Sequence, residues 1–206
     1  MGIKPRYQHP RLIPSDRSVE RAREVLGRFG IRPPSYVVLH VENPKEPKYW
    51  SPEGMAHVAS EITSKTDYVV VLEGSRAGRA AAEKVKKEVP SCVVMHGALN
   101  TGELAVLLSE AVGFLGSDSG PQHVAAAVGC PSLVLFGPSP VHRWGPLPEF
   151  EGTPGRDSRR VMAPPRTDFT DEERAQVGQR AAITLLKPEE VATEFLRLLA
   201  ESAAKS

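Results

Sequence analysis

The sequence predicts an α/β fold in which a parallel sheet is covered by helices on both faces. Five short apolar runs, rich in β-branched residues, alternate with segments whose apolar residues recur at helical spacing. The runs are apolar throughout instead of alternating with polar residues, which is typical of parallel strands buried on both faces. The five predicted strands cover residues 36–41, 68–72, 92–95, 112–115 and 132–136.

The first two predicted helices have recognisable ends. One runs from Ser15 or Asp16 to Gly30, because apolar residues recur on one face and glycine commonly ends a helix. The other follows Ser51, whose hydroxyl suits the N-cap position, with Pro52 at the first helical position. These signals place one helix before the first strand and one after it.

Three further helices are predicted between the remaining strands. One is rich in alanine and covers 77–88, the next is capped by Thr101, and the third runs from Pro121 to Val128. Each follows a strand and leads into the next, which is the alternation that a parallel sheet requires.

The chain after strand five is the least regular part of the sequence. Periodicity disappears over 137–165, a segment with seven of the 19 prolines, so we predict a long loop there. Two helices are predicted after it, Asp171–Ala182 and Pro188–Ala200. The predicted organisation is an arm and lead-in helix over 1–30, a central α/β domain over 31–165, and C-terminal helices over 166–206 that pack on it.

The composition argues against several broad classes of protein. The chain has 206 residues, and 26 basic against 25 acidic side chains leave a formal charge of +1. This balance argues against a general nucleic-acid-binding protein, which usually carries a basic excess. The sequence begins without a signal peptide, has no apolar stretch of spanning length, and holds two cysteines typical of free thiols in a reducing compartment. We therefore expect a cytoplasmic protein without a transmembrane segment.

The segment that leaves the fourth predicted strand has the features of an anion site. In a doubly wound sheet, ligands lie at the carboxyl ends of the strands, and 117–123 connects strand four to a helix there. With Gly120 as N-cap and Pro121 at the first helical position, the free amides point towards the strand ends. His123 then lies in the first turn, where a cation opposes the helix dipole but suits a phosphate ligand. Two alternatives stay open: His123 packs against a loop, and Asp118 caps the helix.

Charged residues also follow strands one and two. Lys45 and Lys48 lie in the loop after strand one, where lysines either neutralise a phosphate or are solvated surface charges. Glu73 ends strand two, where Rossmann-like domains often place an acid against a ribose.

No Gly-x-Gly-x-x-Gly follows strand one and no Walker lysine loop is present, which argues against nicotinamide dehydrogenases and P-loop ATPases.

Four segments match, in the same order, the motifs of one enzyme family. Residues 118–131 read Asp-Ser-Gly-Pro-Gln-His-Val-Ala-Ala-Ala-Val-Gly-Cys-Pro, and a Phe-Gly-Pro-Ser-Pro loop follows at 136–140. Upstream, 48–53 read Lys-Tyr-Trp-Ser-Pro-Glu and 99–104 read Leu-Asn-Thr-Gly-Glu-Leu. Together they resemble glycosyltransferase family 9, the ADP-heptose–lipopolysaccharide heptosyltransferase family.

The resemblance implies a GT-B enzyme, in which two Rossmann-like domains pair and the carboxy-terminal one binds the donor. Residues 31–165 would be that nucleotide-sugar-binding domain. The acceptor site and the general base would lie in the other half, so no catalytic residue is assigned here. The substrates implied are a nucleotide-diphosphate sugar and a glycan or lipid-linked acceptor, without a cofactor or metal. A partner domain or chain and a peripheral position at the inner face of the membrane are further expectations.

The resemblance also assigns donor-binding residues. Lys48 and the amides of Ser119 and Gly120 would hold the diphosphate. His123 would contact phosphate or sugar, and Asp118 would hold the sugar.

The nucleoside is assigned to two residues at the exits of strands two and three. Leu99 lies where the family contacts the base, and Glu73 is the acid expected near the ribose.

Two other functions stay open. A donor domain without its partner could be a non-catalytic module that binds a nucleotide-sugar. Residues 116–120 also resemble the nucleophile elbow of an α/β hydrolase, with Asp118 as the nucleophile and His142 as a downstream base.

Overall fold

The described part of the chain forms one six-stranded parallel sheet. The computed structural model describes residues 11–46, 48–137, 139–145, 159–164 and 181–204. The strands in these ranges are β1 (Tyr36–His40), β2 (Val69–Glu73), β3 (Val93–Val94), β4 (Gly113–Ser117), β5 (Ser132–Leu135) and β6 (Arg159–Met162). They lie in the order β3-β2-β1-β4-β5-β6, and every neighbouring pair is parallel. This order is that of Rossmann-type domains, so the predicted fold class is confirmed.

Helices connect most of the strands and end the described chain. They are α1 (Asp16–Arg28), α2 (Pro52–Lys65), α3 (Arg79–Glu88), α4 (Thr101–Ser109), α5 (Gly120–Val128), α6 (Val141–Trp144), α7 (Ala181–Thr184) and α8 (Pro188–Ala203). The helix predicted at Asp171–Ala182 falls almost wholly outside the described residues, and the other six predicted helices are confirmed. No helix in the described ranges is long and apolar enough to cross a membrane.

The helices form a layer on each face of the sheet. Helices α2, α3 and α8 cover one face, and α1, α4 and α5 cover the other. The side chains of β1 alternate between the two cores. Val37 and Leu39 belong to the first core, whereas Tyr36 and Val38 belong to the second. Burial of both faces explains why the central strands β1, β2, β4 and β5 are mostly apolar.

The prediction of a long loop over 137–165 was wrong at the short helix α6 and at β6. Val161 lies opposite Val134 of β5, and the new strand extends the sheet by one edge. Each residue of β6 is only half-buried, so the strand needs no continuous apolar run and leaves no clear signal in the sequence. Arg160 binds Glu194 of α8 at 2.9 Å, which ties the edge strand to the last helix.

Two predicted N-caps were wrong by one residue. Asn100, not Thr101, caps α4: its side chain accepts from the amide of Glu103, whose carboxylate accepts from the amide of Asn100, both at 3.0 Å. A capping box needs an acid three residues after the N-cap, and Glu103 has this spacing from Asn100 but not from Thr101. Ser119, not Gly120, is the N-cap of α5, which moves His123 from the third to the fourth helical position.

Gly116 of β4 lies where a methyl group does not fit. A Cβ there would lie 2.6 Å from Cζ of Phe114 and 3.0 Å from Cβ of His40. We expect Gly116→Ala to lower the free energy of unfolding by about 2 kcal/mol, because overpacking a close-packed core costs about this much. Urea unfolding measures the change. Gly120→Ala is the matched control, since no heavy atom lies within 4 Å of its Cβ position. Equal stability of the two variants would contradict the packing argument.

Candidate functional site

The candidate site lies at the carboxyl ends of β1 and β4. These two strands are neighbours in the sheet, with Leu39 opposite Leu115. The chain leaves β1 towards β2 on one side and leaves β4 towards β5 on the other. The crevice between two such connections is the place where open α/β sheets bind ligands.

Lys48 and Asp118 meet across this crevice. The Lys48 ammonium donates to Oδ2 of Asp118 at 2.7 Å. Asp118 is 2% exposed, whereas about a third of the Lys48 side chain reaches solvent. The pair joins the loop after β1 to the turn after β4, which are 70 residues apart in sequence. The structure therefore brings together the predicted phosphate ligand and the predicted sugar ligand.

The N-terminus of α5 is open beside this pair. Ser119 makes no capping hydrogen bond with its side chain, and its hydroxyl donates instead to the carbonyl of Ser117 at 3.3 Å. The Asp118 carboxylate binds Lys48, and among the described residues it makes no hydrogen bond to an amide of α5. By contrast, α1, α2 and α4 each have an N-cap side chain that accepts from a backbone amide. No side chain therefore caps this helix end, and the role of the Ser119 and Gly120 amides at an anion stays a prediction.

The space around the open helix end suits the approach of a ligand. Nothing lies within 4 Å of the Cβ position of Gly120, so the backbone is accessible there. His123 is exposed on the next turn, with its ring near the Gln122 amide, which donates to Nδ1 at 3.0 Å. The alternative in which His123 is packed away against a loop is therefore wrong.

Gln122 was not predicted from the sequence. Its side chain is 1% exposed, and its amide donates to the carbonyl of Trp144 at 3.1 Å. This bond fastens the segment after β5 beside the first turn of α5. No local sequence pattern could have identified this role of Gln122, because the atom it binds is a backbone carbonyl 22 residues away.

A second polar cluster lies at the ends of β1 and β2 and consists of His40, Glu42 and Glu73 (the His40 cluster). His40 contacts Oε2 of Glu73 through Nδ1 at 2.8 Å and Oε2 of Glu42 through Nε2 at 3.2 Å. Burial alone would lower the pKa of His40, but the hydrogen bonds and charges of the two carboxylates raise it to about 9. The ring therefore carries a positive charge at neutral pH.

The predicted nucleoside residues lie further along the sheet edge. Glu73 is 7% exposed and already accepts from His40, so its role at a ribose stays a prediction. Leu99 is half-buried after β3 and packs against the second core. Arg76, which was not predicted, extends between the exits of β2 and β3: a Cβ at Gly97 would overlap its side chain. Because β1, β2 and β3 are successive neighbours, these residues follow outwards from the Lys48–Asp118 pair.

The strand order and the open helix end at the switch point define the Rossmann-like class of α/β domain. The sequence model for glycosyltransferase family 9 (heptosyltransferase) matches residues 2–153. The chain therefore belongs to glycosyltransferase family 9, as its four motifs predicted.

This chain shares its fold with about half of each of two solved structures of the family. The chain is 27% identical over 152 residues to lipopolysaccharide heptosyltransferase 3 of Escherichia coli K12, covering 72% of this chain and 44% of that protein. The structure of E. coli ADP-heptose lipopolysaccharide heptosyltransferase II gives a TM-score of 0.68 at 22% identity, over 94% of this chain and 54% of that one. A family 9 glycosyltransferase from Veillonella parvula gives 0.72 at 21% identity, over 93% and 54%. The chain thus spans about half the length of these proteins.

Proposed function

We propose that this chain is the donor-binding half of a glycosyltransferase and binds a nucleotide-diphosphate sugar at the switch point. The observation that carries the proposal is the 2.7 Å pair of Lys48 and Asp118 beside the open N-terminus of α5. It combines a cation and free amides, which suit a diphosphate, with a carboxylate, which suits sugar hydroxyls.

The pair can serve both halves of the donor. An ammonium group has three N–H donors, so Lys48 can keep its bond to Asp118 and still donate to phosphate oxygens. Asp118 accepts from Lys48 through Oδ2, which leaves acceptor capacity for sugar hydroxyls. As the glycosidic bond of the donor breaks, Lys48 and the α5 amides stabilise the negative charge that develops on the leaving diphosphate.

We further propose that the donor is an ADP-activated heptose and the acceptor a lipopolysaccharide-type glycan. This is supported by the heptosyltransferase relatives and by the ADP-heptose named for the E. coli structure. In this proposal the general base and the acceptor site belong to a separate domain or chain, as in a GT-B enzyme whose two domains share the work. The donor site would work without a cofactor or metal, so EDTA should leave donor affinity unchanged.

A binding screen tests the proposal directly. We expect ADP and ADP-sugars to bind the chain more tightly than UDP- or GDP-sugars in a thermal-shift and calorimetric titration. A donor-turnover assay on the same sample separates an active transferase from a non-catalytic binding module. Binding without turnover would support the module, and absence of binding by any nucleotide would overturn both functions.

The hydrolase alternative gains no support. A nucleophile elbow presents its side chain to the substrate, but Asp118 is 2% exposed and bound to Lys48. The side chain of His142 lies outside the described residues.

His123→Ala should weaken ADP binding roughly twofold to tenfold and leave adenosine binding unchanged. Because His123 is exposed to solvent, its bond to a phosphate should contribute no more than an ordinary hydrogen bond, about 0.5–1.5 kcal/mol, which corresponds to this range. Calorimetric titration of both ligands into both proteins measures the effect. Adenosine serves as the internal control, and an equal loss for the two ligands would remove His123 from the phosphate site.

A further inference from the structure

The His40 cluster joins the end of β2 to the loop that carries Lys48. Glu73 is the last residue of β2, and Glu42 lies two residues beyond β1 in the loop of residues 41–46 and 48–50 (the β1 loop). His40 is 4% exposed and contacts both carboxylates, at 2.8 Å and 3.2 Å. A buried group with two charged partners fixes the position of both, because leaving either one unpaired is costly.

The partners of His40 dictate its protonation. An ionised carboxylate only accepts hydrogen bonds, so a ring that faces one carboxylate with each nitrogen must donate from both. The ring is therefore an imidazolium. Its surroundings hold it in place: the Phe114 ring lies 6.5 Å away between centroids, and Gly116 leaves room for the His40 Cβ.

The β1 loop continues this set of contacts towards Lys48. The other oxygen of Glu42 accepts from the amide of Asn43 at 3.4 Å, and the Asn43 side chain accepts from the amide of Lys45 at 3.2 Å. The Asn43 carbonyl also accepts from the amide of Glu46 at 2.9 Å. These bonds set the turn that leads to Lys48, whose ammonium reaches Asp118 at 2.7 Å.

We propose that His40 is a positioning residue for donor binding: by holding Glu42 against Glu73, it keeps the β1 loop in the shape that presents Lys48 to the diphosphate. This inference rests on the proposed function. His40 itself is buried beneath the crevice and acts through Lys48, with no contact to the donor of its own.

A double-mutant cycle tests this dependence. His40→Gln should raise the dissociation constant for ADP about tenfold and leave that for adenosine within twofold. In a Lys48→Ala background the same substitution should change ADP binding by less than twofold, because the residue that His40 positions is gone. His57→Gln on α2 is the control and should change neither ligand. Equal losses for ADP and adenosine, or an undiminished loss in the Lys48→Ala background, would show a merely structural role and overturn the proposal.

Hydrogen exchange in the ligand-free chain provides a measurement that needs no nucleotide. We expect His40→Gln to speed exchange of the Lys45 and Glu46 amides about tenfold, whereas His57→Gln leaves their exchange unchanged. Unchanged exchange in the β1 loop would overturn the positioning role whether or not the chain binds ADP. Failure of the unmodified chain to bind any nucleotide would overturn the proposed function alone, so the two failures are distinguishable.

Discussion

Replacing Lys48 by alanine is expected to weaken ADP binding about 10–100-fold and to leave adenosine binding nearly unchanged. A charge-assisted hydrogen bond to a phosphate contributes about 1.5–3 kcal/mol, which is roughly this range. The substitution also leaves Asp118, which is 2% exposed, without its 2.7 Å partner. The unpaired carboxylate of Asp118 would then repel the diphosphate, so the loss of ADP affinity should lie nearer 100-fold than 10-fold.

Two further variants separate attraction by Lys48 from repulsion by Asp118. The double variant Lys48→Ala/Asp118→Asn should recover part of the lost ADP affinity, because the unpaired charge is removed. Lys45→Ala, an exposed lysine of the same loop, should change ADP affinity by less than about twofold, as an exposed charge contributes little. Calorimetric titration of ADP and adenosine into each variant measures these effects. A Lys48→Ala protein that loses both ligands equally would place the diphosphate elsewhere.

The second large effect is a loss of stability in mild alkali. Burial opposes the charge on His40, but its hydrogen bonds to Glu42 and Glu73 raise its pKa from 6.5 to about 9. The folded chain therefore holds one proton more than the unfolded chain between these values, so its stability falls as pH rises through them. This contribution is about 3 kcal/mol, fully present below about pH 6.5 and lost by about pH 9.

Other shifted groups act mainly outside this window. Burial lowers the pKa of His96. Burial raises the pKa of Glu42, but the hydrogen bond and charge of His40, the Asn43 amide and the charge of Lys48 together outweigh it and hold that pKa below its usual range. Both groups therefore affect stability in acid. Burial raises the pKa of the Cys92 thiol to about 11. It therefore lowers the stability of the folded chain only where the unfolded thiol ionises, near pH 9 and above.

Urea unfolding at several values between pH 6 and pH 9 measures the alkaline effect. The unmodified chain should lose stability across this range, whereas His40→Gln should give a much flatter profile. His57→Gln, which leaves the cluster intact, should follow the unmodified chain. Parallel profiles for the unmodified chain and His40→Gln would contradict the assignment of the extra proton to His40.

Much of this protein could be predicted from local patterns in the sequence. A strand buried on both faces is apolar on both, so β1, β2, β4 and β5 were visible as apolar runs without strict alternation. The helix after β4 could be located because Gly120 and Pro121 are typical of a helix start. Lys48 and Asp118 were each assigned to the donor site through the resemblance to the family's motifs. Their contact at 2.7 Å was not identified.

The tertiary structure decided which distant residues meet. Strand β6 forms because β5 offers it a partner, although its own residues, Arg-Arg-Val-Met, show no strand pattern. The His40 cluster exists because β1 and β2 are neighbours and end at the same edge, which places His40 opposite Glu73. Asp118 likewise meets Lys48 because β4 lies next to β1, not next to β3. Hydrophobic periodicity reports which face of an element is buried. Strand order depends on the packing of all the elements together, so the contacts that build the site appeared only in the folded chain.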